Sequence, residues 1–168
     1  MGILARSKVC HMNGFNITTE CYIRRGDEIL FIHKGGKDMN SGKFLGIGGH
    51  LEKGESPTEC IIREIYEETG IKKEELSNLH MRAVITFVNS VYEDEYIHLY
   101  EAEYIGNDDP VQRYCDEGEL KWVRKTDVYQ LPIWEGDRRM FDEMFKDDSF
   151  FTMKLVYDGD ELKETIVD

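Results

Sequence analysis

Between residues 49 and 71 the chain reads Gly49, five residues, Glu55, seven residues, and then Arg63-Glu64-Ile65-Tyr66-Glu67-Glu68-Thr69-Gly70-Ile71. This stretch leaves little choice of local structure. Ser56 is suited to the N-cap of a helix, Pro57 to its first position, and Glu59 completes a Ser-x-x-Glu capping box. Gly70 is suited to ending the helix, because glycine enters the left-handed conformation at no steric cost. On such a helix Glu64, Glu67 and Glu68 stand at i, i+3 and i+4, so their carboxylates project from one face within one turn.

Three like charges on one turn repel one another, and a hard divalent cation relieves that repulsion. An all-carboxylate oxygen site suits Mg²⁺ or Mn²⁺ better than zinc, which favours His and Cys. Ile61, Ile62 and Ile65 lie to one side of this face and can anchor the helix on a sheet. Arg63 can reach Glu67, one turn on, or Glu55 at the end of the preceding loop, and so orient their carboxylates as a positioning group. Upstream, Gly46, Gly48 and Gly49 allow backbone N–H groups to approach a ligand closely, which predicts a phosphate-cradling loop over residues 48–55. An acidic helix face is, in general, simply solvated. The full pattern argues otherwise, since chance agreement at a given start is below about 10⁻⁸ for fixed identities at ordinary frequencies.

The chain has 168 residues, 40% of them apolar, enough for one sizeable core, and a single domain over 1–168 is expected. Its net charge of −13 argues against a general nucleic-acid or membrane-surface binder, so an anionic substrate must be held by local cations or by a metal. Cys10, Cys21, Cys60 and Cys115 are scattered without a CxxC pair, which fits reduced thiols and a cytoplasmic location. The N-terminal stretch has no apolar run of signal-peptide length, and no segment approaches a membrane span.

Strands are expected over Asn16–Arg24 and Glu28–His33 around the turn Arg25-Gly26-Asp27, followed by a glycine-rich connection over Gly35–Gly42 and a short apolar stretch, Lys43–Ile47, before the helix. Further strands are expected near Met81–Asn89, Tyr96–Tyr104 and Leu120–Val123, a second helix over Glu135–Lys146, and a closing hairpin of Phe150–Tyr157 and Glu161–Val167. This order implies a mixed sheet with helices packed against it.

The pattern from Gly49 to Ile71 resembles the Nudix hydrolase signature, Gx5Ex7REUxEExGU with U aliphatic, and no fixed position departs from it. The resemblance implies an α/β/α sandwich in which the box forms a loop-helix-loop. It also implies hydrolysis of a nucleoside diphosphate linked to another moiety, with Glu64, Glu67 and Glu68 holding the metal, Glu55 supporting the site and Arg63 orienting the carboxylates. Glu64, or a neighbour, is the expected acceptor of the proton from the attacking water.

Outside the box, residues 116–123 and 131–137 look like the C-terminal half of bacterial MutT-type 8-oxo-dGTP diphosphatases. That resemblance puts Glu117 forward as an additional metal ligand, with Glu119 as the competing candidate. It gives Trp134 the place of an aromatic that stacks on a purine, and Asp137 that of a carboxylate on the base edge. The alternatives are a core tryptophan and a helix-capping aspartate. Phe44 is expected in the same pocket, Lys34 is a candidate for the positive charge a triphosphate needs, and Gly48 and Gly49 for contacts to the phosphates. Leu45 stands where some purine-reading relatives carry Asn, which removes one amide contact.

Three readings therefore stand. The first is an enzyme converting a nucleoside triphosphate, such as oxidised dGTP, to the monophosphate and pyrophosphate. The second has the same chemistry acting on a nucleotide sugar, a dinucleoside polyphosphate or a capped RNA end. The third is a nucleotide-sensing module without turnover. No stable nucleic-acid complex and no membrane partner are expected, and the sequence leaves the oligomeric state open.

Overall fold

The computed structural model describes residues 11–12, 15–107 and 113–168. Cys10 and the N-terminal stretch read for targeting lie outside the described residues. In chain order the elements are β1 (His11–Met12), β2 (Phe15–Arg25), β3 (Glu28–Lys34), β4 (Phe44–Leu45), β5 (Ile47–His50) and helix α1 (Pro57–Thr69). There follow β6 (Leu76–Asn89), β7 (Asp94–Tyr104), β8 (Tyr114–Cys115), β9 (Gly118–Arg124), helix α2 (Glu135–Met144), β10 (Phe151–Asp158) and β11 (Glu161–Val167).

The strands form a mixed sheet in the order β11-β10-β6-β7-β2-β3-β9-β8, with β1 and β5 also on β2 and β4 on β3. The β2–β7 and β6–β10 pairs are parallel, and the neighbouring pairs are antiparallel. Strand β2 pairs with β3 only from Ile23 to Arg25, and lower down pairs with β5 from Thr18 to Cys21. The two central strands thus diverge, and the chain crosses from the edge of β3 to the edge of β2 at Gly46.

Both faces of the sheet are covered, as period-two alternation in β2 and β3 shows. Cys21, Ile23, Leu30 and Ile32 point to one core with Ile61 and Ile65 of α1. Tyr22, Ile29 and Phe31 point to the other with Met140, Phe141 and Met144 of α2. This is why the strands read as continuous apolar runs: neither face meets water. Ile61 and Ile65 are fully buried, each worth about 1.5–3 kcal/mol relative to exposure. The architecture is the α/β/α sandwich expected.

Helix α2 is held by a buried charge as well as by apolar packing. Arg82, almost wholly buried on β6, pairs with Glu101 of β7, and its Nη2 donates to the Asp147 carbonyl at 2.6 Å, just beyond α2.

Several boundaries differ from expectation. Strand β6 begins at Leu76 rather than Met81; its first residues pair irregularly with β7, with Asn78 at φ 51°, and this breaks the alternation that marks a strand. The expected loop over 48–55 begins as strand β5. Thr19 and Gly49 are register partners there, and a Cβ at Gly48 would lie 2.0 Å from the Thr19 carbonyl oxygen. Glycine is present because two backbones approach closely.

Candidate active site

Helix α1 starts and stops as its sequence dictates. Ser56 Oγ accepts from the Glu59 N–H at 3.2 Å, and Glu59 Oε2 accepts from the Ser56 N–H at 2.8 Å. Gly70, at φ 77°, donates its N–H to the Tyr66 carbonyl at 2.9 Å.

Arg63 is the hub of the carboxylates. Its Nε and Nη2 donate to the two oxygens of Glu55 at 2.7 and 2.8 Å, and its Nη1 donates to Glu64 at 2.7 Å and to Glu67 at 3.3 Å. These charge-assisted bonds hold the Glu55 carboxyl below its ordinary range. The three carboxylates of the helix sit in different surroundings. Glu67 is exposed, Glu64 is largely covered, and Glu68 is buried and accepts from the Gly48 N–H at 3.0 Å. Burial, then the nearby charge of Glu64, pushes Glu68 up to about 8. Burial also raises Glu64, against the pull of Arg63. Gly49 lies so near the helix that a Cβ there would come within 2.6 Å of Glu64 Oε1.

The Gly48 N–H is therefore spent on Glu68 rather than presented to a phosphate, and Gly49 provides room for Glu64. Both glycines nonetheless line a cavity of about 750 Å³ that runs from Glu64 and Glu68 to Trp134 and Asp137. Glu117 lies on this cavity and on an adjoining one with Glu64, Glu67 and Glu68. Lys34 is ion-paired with Glu117, so its charge is partly neutralised in this state. Glu119 stands apart, paired with Lys121 at 3.1 Å.

At the other end, Trp134 is buried and donates Nε1–H to Asn40 Oδ1 at 2.8 Å, while the Lys43 ammonium lies 4.1 Å from the ring centroid. One part of the indole is thus covered by a cation. Asp137 accepts from the Trp134 N–H at 3.2 Å and so does cap α2, yet it also lines the cavity. Phe44 is not in the cavity wall. It packs in the α2-side core, stacked on His33 at 4.4 Å, and its neighbour Leu45 faces the cavity instead. Strand alternation accounts for the exchange: successive side chains point to opposite sides.

Sequence reasoning passed over Glu20 and Glu95, which line the same cavity. The signal was weak: Glu20 follows two threonines, and Glu95 stands just before the expected strand Tyr96–Tyr104, so neither breaks an apolar run. Burial raises Glu20 and pushes Glu95 up to about 6.

Among the described residues, no three His, Cys, Asp or Glu side chains converge as a ready-made metal cage. The donor set fits a hydrated hard cation, which keeps several waters and takes one or two carboxylates plus substrate phosphates. The raised Glu64 and Glu68 carboxyls, side by side, are groups whose charged forms such an ion favours. No helix among the described residues is long and apolar enough to cross a membrane.

The family model for the NUDIX domain matches residues 15–144. A curated relative, the uncharacterized Nudix hydrolase YvcI of Bacillus subtilis, is 29% identical over 133 residues, covering 76% of this chain and 78% of its own. The crystal structure of a MutT protein from Bacillus halodurans superposes with a TM-score of 0.76 at 25% identity, covering 92% of this chain and 98% of that one. An Ap4A hydrolase from C. elegans shares the fold, with a TM-score of 0.64 at 18% identity over 78% of this chain and 96% of its own. With its box intact on α1 and its sandwich complete, the chain belongs to the Nudix hydrolases, a family that uses divalent metal ions to cleave diphosphate linkages.

Proposed function

We propose that this protein hydrolyses a purine nucleoside triphosphate, with 8-oxo-dGTP a candidate, to the monophosphate and pyrophosphate, using Mg²⁺, which Mn²⁺ can replace. The carrying observation is the single cavity of about 750 Å³ joining the carboxylates of α1 to Trp134 and Asp137, a volume suited to a nucleotide. The phosphates belong at the Glu64 and Glu68 end and the base at the Trp134 end.

Glu64, Glu67 and Glu68, with Glu117 from the β8–β9 turn, are the groups that would hold the ion. Bound there, Mg²⁺ supplies charge neutralisation for the phosphates and acidifies the attacking water. Glu64 accepts the proton of that water, and Arg63, itself gripped by Glu55, holds Glu64 in place directly. Lys34, which lines the cavity in an ion pair with Glu117, is the nearby cation that would face the phosphates.

The test is a Mg²⁺-dependent hydrolysis screen over ordinary and oxidised nucleoside triphosphates, a nucleotide sugar, a dinucleoside polyphosphate and a capped RNA end, compared by kcat/KM. A purine triphosphate leading the series is the expected result. A nucleotide sugar or dinucleoside polyphosphate ahead by about tenfold overturns the substrate assignment, and binding without turnover points to a sensing module.

A further inference from the structure

We propose that Glu20, on β2, is a specificity-determining residue that joins Asp137 in reading two adjacent N–H donors on the edge of a guanine-type base. The inference rests on the proposed base end of the cavity and adds a residue from a different element.

Both protein donors that reach Glu20 go to one oxygen. Oε1 accepts from the Gly46 N–H at 2.9 Å and from the Tyr22 hydroxyl at 3.0 Å. Among the described residues no donor reaches Oε2, while the residue lines the cavity. Asp137 repeats the arrangement from the opposite side. Its Oδ2 accepts from the Trp134 N–H, and no donor among the described residues reaches its Oδ1. Each carboxyl thus has one oxygen locked into the fold and one left for a ligand.

The locking is built into the sequence around the strand divergence. A Cβ at Gly46 would lie 2.6 Å from Glu20 Cγ and 2.9 Å from its Oε1, so the missing side chain is what lets the carboxyl settle against the crossover. Tyr22 is itself fixed by the α2-side core, edge-on to Phe141 with centroids 4.7 Å apart. A fixed acceptor needs no reordering when a ligand arrives, which favours specificity.

Two free acceptor oxygens fit a base that presents two neighbouring donors, as the N1–H and 2-amino group of guanine do. Burial pushes both carboxyls up, and the charge of Glu20 raises Asp137 further. Adenine, with a single amino group beside an acceptor nitrogen, leaves one oxygen unmatched, and an unmatched buried polar group is costly.

The experiment is equilibrium binding of GMP, IMP and AMP by calorimetry, with Mg²⁺ present, to the wild-type protein and to Glu20→Gln. The glutamine keeps an oxygen for Gly46 and Tyr22 but places an amide donor where Oε2 stood. The wild type is expected to bind GMP about tenfold or more tightly than IMP, which lacks the 2-amino group, and than AMP. In E20Q that preference should collapse to within about threefold while AMP binding is retained. Equal binding of all three by the wild type, no binding of any, or uniform weakening in E20Q each overturns the proposal. The GMP-to-IMP comparison uses the wild type alone, so it stands whether or not E20Q folds. Because monophosphates are not turned over, failure of the hydrolysis screen and failure here are distinguishable.

Discussion

The two ends of the cavity, the proposed phosphate end and the proposed base end, are both lined with carboxylates, yet only at the first does an arginine bond the acids directly. At the phosphate end Arg63 bonds Glu55, Glu64 and Glu67 together, so the acids are held apart in fixed orientations. At the base end Glu20 and Asp137 are held by a hydroxyl and backbone N–H groups, and Glu95 by the Thr18 hydroxyl at 3.2 Å. The difference separates two uses of negative charge. Where the arginine grips both oxygens, at Glu55, the carboxyl is held below its ordinary range, and at Glu64 the same arginine works against the rise that burial imposes. Acids braced by neutral donors drift toward their protonated forms and become hydrogen-bonding surfaces.

The largest effect is expected from the braced end. Glu64→Gln should lower kcat about 10³-fold at saturating Mg²⁺, and chelation by EDTA should abolish turnover in the wild type. Unchanged turnover in E64Q, measured by pyrophosphate release, would remove Glu64 from the chemistry. Next comes the clamp behind the base end. Arg82→Leu should cost about 3 kcal/mol in urea unfolding, because it removes one of the two arginines paired with the buried Glu101 carboxylate, leaving Arg24, and frees the end of α2. A loss near zero would show that α2 is held by apolar packing alone.

Gly49→Ala should reduce kcat by about 10- to 100-fold with little loss of stability, since the new Cβ displaces Glu64 rather than backbone. A stability loss larger than the activity loss would break that reading. The smallest effect tests the unbraced end. With Glu95 at about 6, against an ordinary value of 4.5, the folded state binds its proton more readily than the unfolded chain. Its stabilising contribution is complete below pH 4.5 and is lost as pH rises through 6. Glu95→Gln should therefore be more stable than wild type by about 2 kcal/mol above pH 7, shrinking toward zero in acid. Glu20 and Glu93 are the charged neighbours, and both push in the same direction. Glu55, lowered by Arg63, has the opposite sign: its contribution is present at neutral pH and fades as pH falls.

The same contrast explains what could be read from the chain. The phosphate end lies almost wholly between Gly48 and Glu68, where helix periodicity and capping express themselves within a few residues. There the sequence gives type, face and boundaries together. The base end is assembled from β2, β7, the β3–β4 connection and α2, and nothing local announces that Glu20 and Asp137 will meet across it. Phe44 and Leu45 show the limit most sharply. Knowing that the segment is a strand leaves open which of two neighbours faces the cavity, and one step of register exchanges them. Strand β5 was hidden for a different reason. Glycines that look like loop residues are there because Thr19 and Glu64 press on them from two directions.

That last feature bears on how such a box can change. Gly49 belongs to a strand and Glu64 to a helix, but the space of the one is the seat of the other. Neither position can drift alone, so α1 transplanted onto a foreign sheet without its Gly48-Gly49 strand would carry its acids but lose their aim. The unit of exchange between such proteins is the strand, the turn and the helix together.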